Sequence, residues 1–191
     1  MTGKIVYSFG MEMLYKTILI DPPWYERGGG KIKRGADRHY PIMKTPDIIK
    51  LLKSELKDKV DENCHLYLWV TNNFMQDGFE VINSLGFKYK TCITWLKDRT
   101  GLGQYHRGNT EHCLFAVKGM LPYKTLNGVR QQGVTGFTAP RTEHSKKPVK
   151  MYELIEKVSY PPFLEMFARE RRVGWDCFGN EVPKDCQQLI R

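Results

Sequence analysis

Asp21, Pro22, Pro23 and Trp24 stand directly behind the apolar run Leu14-Tyr15-Lys16-Thr17-Ile18-Leu19-Ile20. The run predicts a strand, because aliphatic and β-branched residues dominate it and a proline pair ends it. Two consecutive prolines fix φ and remove two backbone donors, so the chain leaves the sheet in one rigid, extended shape. A carboxylate, acceptor carbonyls and an indole are then gathered at a strand's C-terminal end, where open α/β sheets bind ligands. Asp21 and the Pro22 carbonyl accept hydrogen bonds, and a planar group bearing an NH2 would satisfy both. Trp24 or Tyr25 offers a face for its ring. The exocyclic amine of adenine or cytosine meets this description. Acceptors pulling on its hydrogens localise the nitrogen lone pair as a bond to an electrophile forms, which stabilises the transition state. The plainer reading is a proline-terminated strand whose aspartate caps a turn.

The charge distribution names a class of partner. The chain has 191 residues with 30 basic and 21 acidic side chains, a formal net charge of +9. Residues 26–38 carry Arg27, Lys31, Lys33, Arg34 and Arg38 against Glu26 and Asp37, and residues 141–150 carry Arg141, Lys146, Lys147 and Lys150 against Glu143. Such runs suit a polyanion, with Lys31 and Arg38 as candidate substrate contacts, though they also describe solvated loops. Gly28-Gly29-Gly30-Lys31 lacks the spacing of a phosphate-binding loop, and no Gly-x-Gly-x-x-Gly fingerprint occurs, which argues against a nicotinamide enzyme. The five cysteines form no Cys-x-x-Cys pair, and His106, His112 and His144 have no metal-ligand spacing, so no metal is expected. Cys64, Cys92 and Cys113 lie in strand-like runs and read as buried packing.

The elements that must hold these groups alternate. Thr45-Pro46-Asp47 opens an amphipathic helix with Ile48, Ile49, Leu51, Leu52 and Leu56 inward. His65 to Val70 reads as a buried strand, Phe74 to Leu85 as a helix ended by Gly86, and Phe87–Trp95 and Cys113–Val117 as further strands. Gly119 to Lys147 has no sustained period and reads as a long functional connection. Pro148 to Val158 is a helix with proline in its first turn, Phe163 to Ala168 a short strand, and Gly174 to Asn180 a loop. The alternation predicts one doubly wound α/β domain with right-handed crossovers. At 41% apolar residues there is material for one core, and no run approaches the 18 apolar residues of a membrane span. The N-terminus lacks signal-peptide architecture, so a cytoplasmic location is expected.

Asp21-Pro22-Pro23-Trp24 after a buried strand resembles the amino-methyltransferases related to the eukaryotic messenger-RNA adenosine methyltransferase. The likeness extends through Tyr40-Pro41, Thr110-Glu111-His112-Cys113-Leu114, His144-Ser145-Lys146-Lys147-Pro148, Glu165-Met166-Phe167-Ala168-Arg169 and Gly174 to Glu181. These blocks keep the family's order over about residues 14–182, with residues 1–191 forming one domain. The resemblance implies a Rossmann-like S-adenosylmethionine-dependent methyltransferase fold in permuted motif order, the amine-holding strand preceding the cofactor strand Phe163–Phe167. It implies Lys147 for the cofactor carboxylate, Arg169 near the ribose, Asn180 and Glu181 on the ribose hydroxyls, and His144 and Ser145 in support. Phe167 packs on the adenine or belongs to the core. Glu111 resembles a position near the pocket or simply begins a strand, and Tyr40 joins the substrate pocket. The cofactor adenine contact, which relatives draw from upstream residues, is expected from Tyr7-Ser8-Phe9-Gly10 or elsewhere.

The expected reaction is direct methyl transfer to the adenine amine, with the base flipped or single-stranded and much of the rate coming from positioning. DNA is the favoured substrate and RNA the alternative. A non-catalytic nucleic-acid-binding subunit is a third reading, opposed by the intact Asp21, Pro22, Trp24, Lys147 and Asn180. A homodimer or heterodimer is a further expectation.

Overall fold

A computed structural model describes residues 14–25, 42–101, 105–120, 123–141 and 146–179. Seven strands form one mixed sheet: β1 (Tyr15–Ile20), β2 (Val60–Val70), β3 (Lys88–Lys97), β4 (Thr110–Lys118), β7 (Gly136–Ala139), β8 (Phe163–Met166) and β9 (Trp175–Phe178). They lie in the order β7-β3-β4-β2-β1-β8-β9. A two-stranded ribbon, β5 (Thr125–Leu126) with β6 (Val129–Arg130), stands apart from it. Among the described residues the α-helices are α1 (Thr45–Glu55), α2 (Met75–Ser84) and α3 (Val149–Val158).

Side-chain alternation in β1 sorts the two faces. Ile18 and Ile20 join Leu66, Leu68, Val70, Leu114 and Leu164 beneath α1 and α2, whose Ile48, Leu52, Val81 and Ile82 are fully buried. Leu19 points the other way, joining Tyr67, Trp69, Trp95, Cys113 and Phe163 beneath Met151, Tyr152 and Ile155 of α3. Helices on both faces make the sheet doubly wound. In α1 the buried positions are Ile48 and Leu52, with Leu56 buried at its C-cap, while Ile49 and Leu51 are half-buried on its flanks. Gly78 lets α2 approach the sheet, since a Cβ there would stand 2.6 Å from Val70 Cγ1 and 2.8 Å from Leu114 Cδ1.

Strand direction decides where chemistry gathers. β1, β2, β8 and β9 run parallel, and β3 runs in the same sense, because it and β2 are both antiparallel to β4. β7 is parallel to β3, so the C-terminal ends of six strands meet the N-terminal end of β4 along one edge. That edge carries Asp21, Lys97, Glu111 and Phe167. The expected amine-holding and cofactor strands, far apart in sequence, are direct neighbours, with Ile20 paired to Met166.

Five sequence expectations change. β2 begins at Val60 rather than His65, its first residues paired to β1 by way of Tyr15 and Val60. The connection 119–147, read as unstructured, contains the β5–β6 ribbon and β7, which extends the sheet beside β3. Two- and four-residue strands are too short to display a period. Gly174 to Asn180, read as a loop, contains β9, whose Trp175 and Cys177 are buried. The strand expected to reach Ala168 stops at Met166, because Phe167 takes φ +62 and breaks the extended backbone. Cys64 and Cys113 are buried, while Cys92 is only half-buried. Among the described residues no helix is long and apolar enough to cross a membrane.

Candidate active site

The proline pair does more than end a strand. The Pro22 carbonyl accepts the Trp24 N–H at 2.9 Å, the Pro23 carbonyl accepts the Met43 N–H at 2.8 Å, and the Tyr25 N–H donates to Met43 O at 3.0 Å. The turn is thereby pinned to the segment that leads into α1. Pro22, expected as an open acceptor, has one lone pair engaged and one remaining. Trp24 differs more. It is 7% exposed, stacks on Phe74 at a centroid distance of 5.3 Å, and donates its indole N–H to Trp69 O at 3.0 Å. Burial makes it the wedge that holds the turn, not a stacking face for a base. Tyr25, 39% exposed, is the more solvent-accessible aromatic ring of this turn.

Asp21 follows the Leu19 side of β1 and meets Lys147, which stands two residues before α3. The Lys147 ammonium donates to Asp21 Oδ2 at 2.8 Å and lies 3.4 Å from Glu111 Oε2. Lys97, two residues beyond Trp95 on the same face of β3, donates to Glu111 Oε1 at 2.5 Å. Four charges alternate along a chain whose side chains are between 10% and 17% exposed. The indoles beneath add to the balance, with the Lys147 ammonium 5.3 Å from the Trp69 ring and that of Lys97 5.0 Å from the Trp95 ring.

The electrostatics follow from this order. Burial alone would lower Lys147 and raise Glu111, but the opposite charges outweigh it. Lys147 is raised by Asp21 and Glu111 against the opposing field of Arg169, and Glu111 is lowered by Lys147 and Lys97. Both stay charged at neutral pH. Glu165, on β8 beside Leu19, is different: burial pushes its carboxyl up to about 7, although the Tyr152 hydroxyl donates to it at 2.8 Å. Arg172 lies flat over the Tyr152 ring at 3.7 Å.

The edge therefore brings together Asp21, Glu111, Lys147 and Arg169 of the expected set. Phe167 is half-buried against the α1–α2 core at the tip of β8, in a left-handed backbone that a bulky residue adopts at a cost of about 1–3 kcal/mol. Gly179 lies so close to the same turn that a Cβ would stand 2.1 Å from Ala168 O. The residues Lys31, Arg38, Tyr40, His144, Ser145, Asn180, Glu181 and Tyr7–Gly10 lie outside the described residues. Lys97 and Glu165 were not singled out as site groups from sequence. The alternation Ile93, Trp95, Lys97 would have placed the first on the Glu111 side. Nothing local marks Glu165, whose burial comes from α3. Among the described residues no group of three His, Cys, Asp or Glu side chains is placed to hold a metal ion.

A doubly wound mixed sheet, with an acidic-proline turn and a paired lysine at the tips of its parallel strands, defines a single Rossmann-like α/β domain of the methyltransferase type. The profile of the MT-A70 family matches residues 15–181, and the chain belongs to that family. It is 30% identical over 190 residues to the Type II methyltransferase M.MunI of a Mycoplasma species, covering 88% of this chain and 78% of that protein. It is also 30% identical over 190 residues to a probable N(6)-adenosine-methyltransferase MT-A70-like protein of Oryza sativa subsp. japonica, covering 93% of this chain and 24% of that protein. The human N(6)-adenosine-methyltransferase catalytic subunit METTL3 is 28% identical over 182 residues, with 88% of this chain and 28% of that protein covered. This chain thus spans about a quarter of the rice and human proteins.

Proposed function

We propose that this protein is an adenine amino-methyltransferase that uses S-adenosylmethionine and acts on an adenine of DNA, flipped or single-stranded. One observation carries the reading. Lys147 holds Asp21 Oδ2, while among the described residues nothing donates to Oδ1. That oxygen and the second lone pair of the Pro22 carbonyl accept the two N–H groups of an exocyclic amine, and Tyr25 lies against the base. As the nitrogen acquires positive charge, both acceptors strengthen their hold, and Lys147 fixes the carboxylate so that it need not reorganise. The product ammonium then loses its proton to Asp21 Oδ1 or to water.

The residues suit the methyl donor. Thr71 Oγ1, at the tip of β2, is buried with no hydrogen-bond partner among the described residues, and the tip of β8 is shaped by the strained Phe167 and the close Gly179. Lys147 would meet the donor's carboxylate and Arg169 and Phe167 its nucleoside, with Asn180 and Glu181 assigned to the ribose by family resemblance. When bound, S-adenosylmethionine supplies an electrophilic methyl on a sulfonium.

DNA is assigned because the chain shares most of its length with a Type II methyltransferase and covers only a quarter of the adenosine enzymes. The names of the latter support RNA as the second reading. The cytoplasm is the assigned location, with nucleic acid as the partner and a homodimer or heterodimer as a further possibility for assembly. The test is methyl transfer from labelled donor to matched DNA and RNA oligomers. Asp21→Ala is expected to lower transfer to DNA by about 10²–10³-fold. Equal incorporation by both proteins would overturn the mechanism, label on cytosine the base, and incorporation into RNA alone the choice of polymer.

A further inference from the structure

At the sheet edge opposite Asp21, where β2 and β3 begin and β4 ends, a cavity of about 470 Å³ opens beneath the β5–β6 ribbon. Buried His65 and half-buried Phe115 line it, packed edge to face at 5.0 Å. Lys90, Lys124 and Arg130 line it as well, and none of its described lining residues is acidic.

Each cation is placed by a distinct device. Lys90 sits at the register irregularity of β3, where Tyr89 pairs with Ala116 and Thr91 with Phe115, so Lys90 is the extra residue. A bulge re-aims a side chain that regular pairing would direct elsewhere. Lys124 donates to Glu156 O in α3, which tethers its stem while two ammonium donors remain. The Arg130 Cζ lies over the Tyr123 ring, 3.3 Å from its centroid, and a guanidinium held on an aromatic face keeps N–H donors for oxygen atoms. His65 adds no charge. Burial pushes its imidazole down to about 4, and its Nδ1 pairs with Ser159 Oγ at 2.8 Å.

We propose that this cavity is a phosphate-binding site separate from the methyl-transfer pocket, and that it takes a nucleotide phosphate of the strand carrying the target base. From Glu111 to Val117 along β4 is about 20 Å at ~3.4 Å per residue. That is the length of roughly six stacked nucleotides of one strand. The strand as source rests on the methyl-transfer reading, whereas the phosphate site does not.

The test is fluorescence anisotropy with labelled single-stranded 12-nucleotide and 4-nucleotide oligomers, together with calorimetric titration of adenosine 5′-monophosphate. Lys90→Gln/Arg130→Gln is expected to weaken the 12-mer at least tenfold and to reduce its log–log salt slope by about 1.4, for two lost phosphate contacts. The 4-mer, too short to reach from Asp21, should change less than twofold. Lys90→Glu/Arg130→Glu should weaken the 12-mer further. Both side chains are exposed, and unchanged melting midpoints verify the fold. Equal weakening of both oligomers would overturn the site, as would no change in any probe. Loss of the mononucleotide with an unchanged 12-mer would keep the phosphate site and overturn the strand as its source. Failure of the methyl-transfer reading would show separately, as wild-type protein that binds the 12-mer but transfers no label.

Discussion

At the tips of the parallel strands, Lys97, Glu111, Lys147 and Asp21 alternate in sign at 2.5, 3.4 and 2.8 Å, largely out of water. At the other end of the same sheet face, Lys90, Lys124 and Arg130 surround a cavity without a carboxylate among its described lining residues. The first arrangement neutralises itself. It is built for order, since a buried charge is tolerable only with partners, and each partner fixes the next. The second leaves its charge unneutralised and keeps it near solvent, where cations cost little and attract an anion. The strand tips therefore hold acceptors in place, and the far end offers a field.

The largest test of this contrast removes the central cation. Lys147→Met leaves Asp21 and Glu111 without their shared partner and should cost about 3–5 kcal/mol in urea unfolding at pH 7. The loss should shrink in acid. Glu111 is held below its ordinary value in the fold, so its stabilisation is present above the unfolded carboxylate range and disappears as pH falls through the lowered value. A cost that stays constant across that window would show that the network is not coupled.

Glu165 comes next. Its folded value of about 7, against an ordinary 4.5, means that the fold retains a proton the unfolded chain has released. Ionisation therefore opposes folding, and stability falls as pH climbs from about 4.5 through 7. Glu165→Gln keeps an acceptor for Tyr152 and should stabilise the protein by on the order of 3 kcal/mol at pH 8, with little effect below pH 4.5. Equal melting shifts at pH 4 and pH 8 would contradict this.

A smaller effect separates the two aromatics of the turn. Trp24→Phe removes the bond to Trp69 O and should cost about 1–2 kcal/mol. It should leave the KM for an oligonucleotide nearly unchanged, whereas Tyr25→Ala should raise KM with little loss of stability. The reverse pattern would return the stacking role to Trp24. The smallest effect belongs to the far end, where Lys90→Gln/Arg130→Gln should alter unfolding free energy by less than about 0.5 kcal/mol. A larger loss would mean that those cations hold the ribbon rather than wait for a ligand.

Much of this was legible in the chain. The Leu14–Ile20 run, the proline pair behind it and the helical periods of α1 and α3 are local signals, written in residue type and spacing over a few turns. The Asp21 turn was legible for the same reason, as a residue set whose chemistry is unusual where it stands, whereas Lys147 was reached through the family resemblance of its block. Strands β7 and β9 were not legible, because each has only four residues, and β7 is also held by pairing to a neighbour distant in sequence. The choice between Trp24 and Tyr25 as the stacking ring was narrowed by Phe74 and Trp69, which bury Trp24 and which no local pattern connects to it.

The sequence by itself determined the longer elements and the acidic-proline turn, since propensity, periodicity and proline geometry act within a few residues. Only the tertiary structure decided the charge state of Glu165, the partners of Lys147 and the aim of Lys90. Burial, ion pairing and strand register arise between segments far apart in the chain, and they exist only once the sheet has brought those segments together.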